Sequence, residues 1–280
     1  MRTEHRLARA RFTRALLASA LLLLIVVAVS LVPLLEHLSP DTIDLSHALL
    51  PPSRAHWLGT DQLGRDVLAR VLAGGRVSLW IVFATVLAGG GIGSLLGALS
   101  GYRGGWIDQV IMRAADLQYS MPPVIVALVA ALSFGTGINN LVLAIALATW
   151  PRFARIVRAE ALHLREQDFV LLAELAGASS ARILLRHVLP NMWSALIVLI
   201  TLDIGLVITL EATLSFLGLG IQPPNPSWGT MIADGRAYLS QAWWLSIAPG
   251  GALALTILSA NAAAGELQRR GRSRGGVQHV

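Results

Sequence analysis

Two carboxylates lie within an apolar stretch of this 280-residue sequence. Asp203 and Glu211 are eight residues apart in the run that follows Asn191, so in a helix they share one face. Carboxylates are costly in a membrane span and are functional candidates by default. We expect the two side chains either to line a pathway for a solute and bind its cationic groups, or to form structural pairs with arginine or backbone groups of a partner.

Residue types that would support other chemistry are missing from the apolar stretches. All histidines fall in predicted loops or near the chain ends: His5, His37, His47, His56, His163, His187 and His279. An intramembrane enzyme would need a nucleophile–base pair or carboxylates on facing helices, and the lack of histidine in the spans disfavours haem ligation and a histidine-built nickel site there. Cysteine is absent, which excludes disulfides and thiolate metal sites. We therefore predict no catalytic residue, no metal site and no cofactor in this chain.

The composition is typical of a membrane protein. Apolar residues make up 55% and charged residues only 14%, whereas about a quarter of the residues of soluble domains are charged. The mean hydropathy is +0.64. A membrane-spanning helix needs about 20 apolar residues, and six stretches qualify: Ala15 to Leu35, Arg76 to Arg103, the two halves of the run between Asp116 and Arg152, Asn191 to about Leu219, and about Trp243 to Gly265. We predict an all-α polytopic membrane protein with six transmembrane helices.

Local features refine the first four spans. An arginine-rich start before the first span is also typical of a cleaved signal peptide, but a signal core is shorter and ends at small residues, so we favour an uncleaved anchor. In the second span, Gly93, Gly97 and Gly101 form a ladder of small residues that allows another helix to approach closely. The segment Gly135 to Asn140 divides the next run, which predicts a helical hairpin.

Arginine predicts the orientation, because all 22 basic residues are arginine and they cluster beside span ends. Most precede the first span, follow the sixth, or lie between spans two and three or four and five, so these segments and both termini are predicted to be cytoplasmic. The membrane thus explains the net charge of +6, and we expect lipid but no nucleic acid as a partner. We predict five parts in chain order: a tail (1–14), an anchor (15–35), an outer loop with an amphipathic helix (36–76), a five-span core (77–267) and a second tail (268–280). The core contains a cytoplasmic loop at 152–191 and an outer loop at 220–242.

Two outer segments are rich in turn residues. The first, which we call the outer motif, interleaves turn residues with charge: Gly59, Thr60, Asp61, Gly64, Arg65 and Asp66. Apolar residues then recur at helical spacing from Val67, which predicts a loop that leads into an amphipathic helix. The second segment has three prolines before Trp228, which exclude regular structure, and Trp243 and Trp244, which suit a membrane interface.

The segment between spans four and five, Arg152 to Asn191, has helical periodicity with interspersed charge. The periodicity continues to Ala176. Gly177 favours the left-handed conformation that ends helices, and Ser179 or Ser180 can cap a second helix. A helix–turn–helix unit outside the bilayer is too small to fold alone, so we expect it to dock on a partner protein.

Short motifs in a fixed order resemble the permease subunits of binding-protein-dependent ABC importers, in particular the peptide/nickel group. They are HWLGTDQLGRD from His56, GGWIDQVIMRAAD from Gly104, FARIVR from Phe153, GASSARILLRHVLPN from Gly177, and LSFLGLG with PSWG from Leu214 and Pro226. These motifs are spread over most of the chain after the first span. The resemblance implies the six-span permease fold with a cytoplasmic coupling helix between spans four and five.

The resemblance also implies that the loop around Gly177 couples the permease to an ATPase. The family motif reads Glu-Ala-Ala, three residues, Gly, nine residues, a hydrophobic residue or His, any residue, Leu and Pro. The residues here are Leu171, Leu172, Ala173, Gly177, His187, Leu189 and Pro190, and Ala178 and Ser179 follow the glycine. The leading glutamate is therefore absent, and Glu174, one helical turn further on, is its candidate replacement.

Several partners follow from the resemblance. A Walker A loop needs a lysine and this chain has none, so ATP and Mg²⁺ would bind to two separate ATPase subunits. A second, different permease would supply the other half of the pathway, and an extracytoplasmic binding protein would deliver cargo to this alternating-access machine. The cargo stays open between small peptides and nickel, as ion or chelate. A passive channel and an intramembrane enzyme are the alternatives, although a channel needs no ATPase-docking loop.

If Glu174 replaces the missing glutamate, Glu174→Ala should reduce ATP-driven uptake more than Leu171→Ala does, because only Glu174 can make a charged contact with the ATPase. Uptake of labelled cargo by the reconstituted transporter measures the difference. Equal uptake by the two variants would contradict this role of Glu174.

Overall fold

The computed structural model describes residues 20, 24–30 and 39–275. Regular structure in these residues is entirely helical, with no β-strand, which confirms the all-α prediction. The helices are α1 (Val67–Thr85, a π-helical turn Val86–Gly90, and Gly91–Arg103), α2 (Gly105–Tyr119), α3 (Pro123–Phe134), α4 (Ile138–Arg165), α5 (Asp168–Leu175), α6 (Ser180–Ile183, a π-helical turn Leu184–Val188, and Leu189–Asn191), α7 (Trp193–Phe216), α8 (Trp228–Gly235) and α9 (Trp244–Gly275).

The first long helix, α1, runs through the molecule for 37 residues, about 55 Å at 1.5 Å per residue. It begins where the Asp66 carboxylate accepts a hydrogen bond from the Ala69 N–H at 2.9 Å, which satisfies a free amide of the first turn. The amphipathic helix predicted after Asp66 is therefore the start of the second span, and residue 76 is not a boundary. We call the end of the molecule near Val67 the motif end and the end near Arg103 the loop end.

The α1 and α4 backbones are in close contact. Four glycines of α1 each face a position of α4: Gly89 faces Ala146, Gly93 faces Trp150, Gly97 faces Ala154, and Gly101 faces Arg158. A Cβ at Gly101 would lie 2.6 Å from the Arg158 carbonyl oxygen, which is closer than real contacts allow. The predicted ladder of Gly93, Gly97 and Gly101 is confirmed, and Gly89 extends it by one more contact. Because the α4 residue number rises with the glycine number, the two helices are parallel.

Because α1 and α4 are parallel, the chain must return from the loop end to the motif end between them. The helices α2 and α3 together make this return. The two helices meet at a 94° bend over residues 120–122. Pro122 and Pro123 lack a backbone N–H, which explains why α2 cannot continue. The hairpin turn is confirmed at Gly135–Gly137, but its first arm differs from the prediction. Only 12 residues long, about 18 Å, α3 is too short to span alone, so only the bent pair together is a candidate for the third span.

Four helical stretches in the described residues are long and apolar enough to cross a membrane, namely α1, α4, most of α7, and Trp244–Gly265 of α9. The bent pair of α2 and α3 raises the number to five. The predicted first span, Ala15 to Leu35, lies largely outside the described residues. Within it, residues 24–30 are helical, and Val29 packs next to Gly75 of α1.

Buried apolar side chains form three clusters along the molecule. The central cluster joins α1, α4 and α7 through residues such as Ile81, Leu141 and Ile208. The cluster at the loop end holds α5 and α6 against α1 and α4, with Val170 fully buried. At the motif end, the side chain of Trp228 packs on α1 with the first residues of α9. Each end of the helix bundle is thus anchored by its own small core.

The glycine ladder predicts that Gly97→Ala destabilises the protein, although alanine is the better helix former. The new Cβ would overlap the Ala154 backbone, and overpacking of this kind costs about 1–3 kcal/mol. Gly91→Ala is the matched control in α1, because nothing lies within 4 Å of a Cβ there. Thermal unfolding of the detergent-solubilised protein should show a lower midpoint for Gly97→Ala alone. An unchanged midpoint would mean that α1 and α4 do not pack in this way.

Candidate functional site

The predicted coupling loop lies at the loop end, and its two short helices meet at Gly177. The helix predicted from Arg152 is interrupted after Arg165, so α5 is a separate helix of eight residues. Gly177 has φ +78°, and its N–H donates to the Glu174 carbonyl at 2.9 Å. The Ala178 N–H donates to the Ala173 carbonyl at 3.0 Å. This pair of bonds is the left-handed helix end that the glycine predicted.

The second helix of the loop, α6, begins at a serine cap and leads into α7. The Ser179 hydroxyl accepts a hydrogen bond from the Arg182 N–H at 3.4 Å, so of the two predicted caps it is Ser179 that serves. His187 and Leu189 are half-buried and Pro190 is exposed. Leu189 packs on the loop-end cluster. The second half of the family motif therefore fixes the loop to the helix bundle.

The helix α5 has one buried and one exposed face. Val170 is buried in the loop-end cluster. Leu171, Leu172 and Leu175 are 55%, 64% and 76% exposed, and we call these three residues the leucine patch. Exposed apolar side chains grouped on one short helix outside the spans mark a contact surface for another protein.

The candidate replacement glutamate, Glu174, is held within the chain. Its Oε1 accepts a hydrogen bond from the Tyr102 hydroxyl at 3.2 Å, near the end of α1. This contact ties α5 to α1 and could not be foreseen from sequence spacing, because the two residues are 72 positions apart. Its predicted charged contact with an ATPase stays a prediction.

Of the two span carboxylates, Asp203 is fully buried and forms an ion pair inside the chain. Its Oδ1 lies 2.9 Å from a terminal nitrogen of Arg152 in α4, and its Oδ2 has no hydrogen-bond partner among the described residues. A structural pair of this kind was one of the two expectations, but its arginine belongs to this chain and not to a partner. Sequence reasoning missed Arg152 because it assigned that residue to a loop, whereas α4 continues through it to Arg165.

The second span carboxylate, Glu211, is also fully buried and joins three helices near the motif end. Its two oxygens accept hydrogen bonds from the Ser215 hydroxyl at 2.8 Å and the Ser78 hydroxyl at 3.2 Å. The Ser78 hydroxyl oxygen in turn accepts a hydrogen bond from the backbone N–H of Trp228 at 3.4 Å. The carboxylate thus connects α7, α1 and α8. This geometry suits a structural role, and contact of either carboxylate with cargo remains a prediction.

At the motif end, Asp61 organises the outer motif. Its Oδ1 accepts hydrogen bonds from the backbone N–H groups of Leu63 at 2.9 Å and Arg65 at 3.0 Å. Its Oδ2 accepts one from Nε of Arg65 at 2.7 Å and lies 3.5 Å from Nε of Arg70. All three charged side chains are nearly buried, and Asp61 is the carboxylate that both guanidinium groups share.

Other residues of the outer motif fasten it to the helices. The Thr60 hydroxyl accepts a hydrogen bond from the backbone N–H of Leu50 at 2.8 Å. The Thr60 carbonyl accepts one from the indole N–H of Trp244 at 3.2 Å. Trp244, predicted as an interface anchor, is in fact buried at the start of α9. Besides capping α1, Asp66 contacts Nδ1 of His56 at 2.9 Å. The motif therefore joins the first residues of α1 to those of α9.

The two motif glycines occupy conformations that other residues avoid. Gly59 and Gly64 have φ of +74° and +73°, and a Cβ at Gly64 would overlap the Asp44 carbonyl. Asp44 is itself ordered by hydrogen bonds from the Ser46 hydroxyl and from the His47 ring, which lower its pKa to about 2. The loop that precedes the motif is thus held by its own polar contacts.

A cavity of about 610 Å³, lined by both polar and apolar side chains, opens between the outer motif and the segment that follows α7. Its lining includes Arg65, Arg70, Gln222, Asp234 and Tyr238. Partial burial raises the pKa of Asp234, while Arg70 and Arg65 act in the opposite direction. No three His, Asp or Glu side chains in the described ranges are grouped to hold a metal ion.

A family model described as the inner membrane component of binding-protein-dependent transport systems matches residues 93–273. The match covers the glycine ladder from Gly93, the coupling loop and both span carboxylates. The chain belongs to this family. The resemblance inferred from the short motifs is therefore confirmed, and the permease is a transport component of the inner membrane.

Relatives of this permease carry names that refer to peptides. It is 44% identical over 249 residues to a protein of Brucella suis biovar 1 (strain 1330) named as a peptide permease, with 88% of this chain and 82% of that protein covered. A second protein of that strain, named as a peptide transport system permease, is 40% identical over 262 residues, covering 92% and 86%. An Escherichia coli (strain K12) protein named as a D,D-dipeptide transport system permease is 43% identical over 229 residues, covering 82% and 77%.

Removing the Asp61 charge should destabilise the motif end. Asp61→Asn leaves the buried Arg65 without its counter-ion and leaves Arg70 to the exposed Asp41, 3.8 Å away, and breaking a buried pair costs about 3–5 kcal/mol. Asp41→Asn is the control, because Asp41 is 59% exposed and lies 3.8 Å from the same Arg70, where a pair contributes only about 0–1 kcal/mol. Thermal unfolding and limited proteolysis should separate the two variants. Equal unfolding midpoints would contradict the central position of Asp61.

Proposed function

We propose that this chain is a transmembrane permease subunit of an ATP-driven importer that moves small peptides across the inner membrane by alternating access. The leucine patch carries the proposal, because an exposed apolar surface beside the Gly177 turn suits a docking site for an ATPase. Membership of the family supports the transport role. The names of the three relatives favour peptides over nickel, the other cargo that the motifs left open.

In this proposal two ATPase subunits hold ATP and Mg²⁺ and bind the coupling loop. The contact residues are those of the family motif and its neighbours: Leu171, Leu172, Ala173, Glu174, Gly177, Ala178, Ser179, His187, Leu189 and Pro190. Three connections would pass a movement of α5 to the spans: the Tyr102–Glu174 hydrogen bond to α1, the glycine contacts between α1 and α4, and the Arg152–Asp203 pair between α4 and α7. ATP binding then shifts the equilibrium between two packings of the spans.

The proposed orientation places the loop end in the cytoplasm and the motif end outside. Arginine clusters support it: Arg158, Arg165, Arg182 and Arg186 lie at the loop end. Residues 15–35 would add a sixth span to the five formed by the described helices, so that both termini are cytoplasmic. The division of the chain into tails, anchor, core and loops stays as predicted, except that the second span begins at Val67.

The remaining partners complete the pathway. A second, different permease would pair with this chain to form a heterodimer, since one permease supplies only half of a central path. An extracytoplasmic binding protein would dock at the motif end, where the outer motif and the segment after α7 form the cavity of about 610 Å³. That cavity supports a role for Gly59, Thr60, Asp61, Gly64, Arg65 and Asp66 in shaping the outer face.

Reconstitution of the complete transporter in proteoliposomes tests the proposal, with ATP-dependent uptake of a labelled dipeptide as the measurement. Leu172→Glu combined with Leu175→Glu should release the ATPase subunits and reduce uptake about tenfold or more, because a carboxylate in an apolar contact is strongly unfavourable. Leu185→Glu is the matched control, since Leu185 is 63% exposed on α6 outside the patch. Uptake without ATP, as by a passive channel, or normal ATPase binding by the double variant would overturn the proposal.

A further inference from the structure

The bend between α2 and α3 lies near the middle of the helix bundle. From the loop end, α2 runs antiparallel to α4, and Asp108 pairs with Arg158 close to that end. Further along, the Gln118 side-chain oxygen accepts a hydrogen bond from the Trp150 indole N–H at 2.9 Å. Trp150 is near the midpoint of the 28-residue helix α4. The break therefore lies far from both ends of the bundle.

Charged and polar side chains at this break are exposed. Arg155 donates to Oδ1 of Asp116 through Nε at 3.1 Å and a terminal nitrogen at 2.5 Å. Its guanidinium lies over the Tyr119 ring, 4.5 Å from the ring centre. The Asp116 side chain is 52% exposed and that of Arg155 is 42% exposed, whereas the Asp203 side chain is fully buried. Among the described residues, Oδ2 of Asp116 accepts no hydrogen bond. The Tyr119 hydroxyl neither donates nor accepts one within this part of the chain.

Lipid is an unsuitable environment for this surface. An ionic pair that faces hydrocarbon is expensive, so charged residues in spans face a water-filled path or another protein. A broken helix is likewise tolerated at membrane depth only where protein covers it or where it lines a cavity. Two neighbouring features, the exposed pair and the interrupted backbone, thus both make lipid alone an unsuitable environment for this part of the permease.

We propose that Asp116, Tyr119 and Arg155, together with Ser120, which is exposed at the start of the break, form a contact site for the main chain of a peptide inside the translocation path. The free oxygen of Asp116 would accept hydrogen bonds from an amino terminus or a backbone N–H. The unused N–H groups of Arg155 would donate to a carboxylate or a backbone carbonyl. Because the paired site is neutral overall, it suits zwitterionic peptides and holds them weakly enough to release them. The inference rests on the proposed peptide transport and names the residues that meet the peptide.

Thiol labelling tests whether the break lines an aqueous path. The chain contains no cysteine, so one introduced cysteine can be followed without altering the background of this subunit. In the assembled transporter, Ser120→Cys should react with a charged thiol reagent added on both sides of the membrane, because the reactive thiolate forms in water. Leu132→Cys, at an apolar position of α3 that is 62% exposed, is the control and should not react. An unreactive Ser120→Cys would mean that lipid or the second permease covers the break, and would overturn the inference.

Charge removal tests the contact with peptide. Asp116→Asn should reduce ATP-driven dipeptide uptake about tenfold or more while the second permease and the ATPases still co-purify. Asp108→Asn breaks another α2–α4 ion pair, with less exposed partners, and should retain uptake per folded complex. If the second permease no longer co-purifies with the Asp116→Asn variant, the Asp116–Arg155 pair is a contact between subunits, and the inference is overturned. If the wild-type transporter moves no peptide, the proposed function fails; if it does and Asp116→Asn transports normally, only this inference fails.

Discussion

Backbone contact between α1 and α4 is the constraint on which the rest of the structure depends. In lipid, apolar side chains gain little by leaving their surroundings, so helices associate mainly through close van der Waals packing, which small residues permit. Gly89, Gly93, Gly97 and Gly101 provide such a surface over more than three helical turns. Because these contacts make the two helices parallel, the chain must cross back between them. The crossing by α2 and α3 follows from that requirement, whereas its bend follows from Pro122 and Pro123.

Polar groups within the spans fall into two classes that differ in exposure. Asp203 and Glu211 are buried in the chain and have partners in it, Arg152 for the first and two serines for the second. Such pairs link helices and are costly to break, because an uncompensated charge would remain. Asp116 and Arg155 also form a pair, but they are half exposed. On the proposed function, this exposure makes the broken span a candidate for the face on which a solute would travel, and the pathway role of Asp203 and Glu211 stays a prediction.

The predicted coupling loop departs from the family motif in its leading residues, and its turn still forms. Gly177 and Ser179 build the turn and cap that the sequence predicts. At the positions of Glu-Ala-Ala, however, Leu171 and Leu172 are exposed, and Glu174 is held by Tyr102. On the proposed function, burial of leucine supplies the main part of the contact with the ATPase, and the glutamate orients α5 on α1.

Much of this protein could be read from its sequence, because membrane spans depend on long apolar runs and turns depend on single residues. The helical class, the hairpin turn before α4, the glycine ladder, the Gly177 helix end and the family all followed from such local signals. The bend at Pro122 divided a span that hydropathy treated as whole, and α1 began nine residues before the predicted border at residue 76.

The partners of the polar residues were decided only by the tertiary structure. Hydrogen bonds join Asp203 to Arg152, Glu211 to Ser78, and Asp116 to Arg155. The members of these pairs are 51, 133 and 39 residues apart in the sequence. No periodicity links positions so far apart, because their contact depends on how the helices are rotated and crossed. By itself, the sequence determined which residues would be costly in a membrane. Only the packing of the helices decided which of them are buried with a partner and which remain exposed.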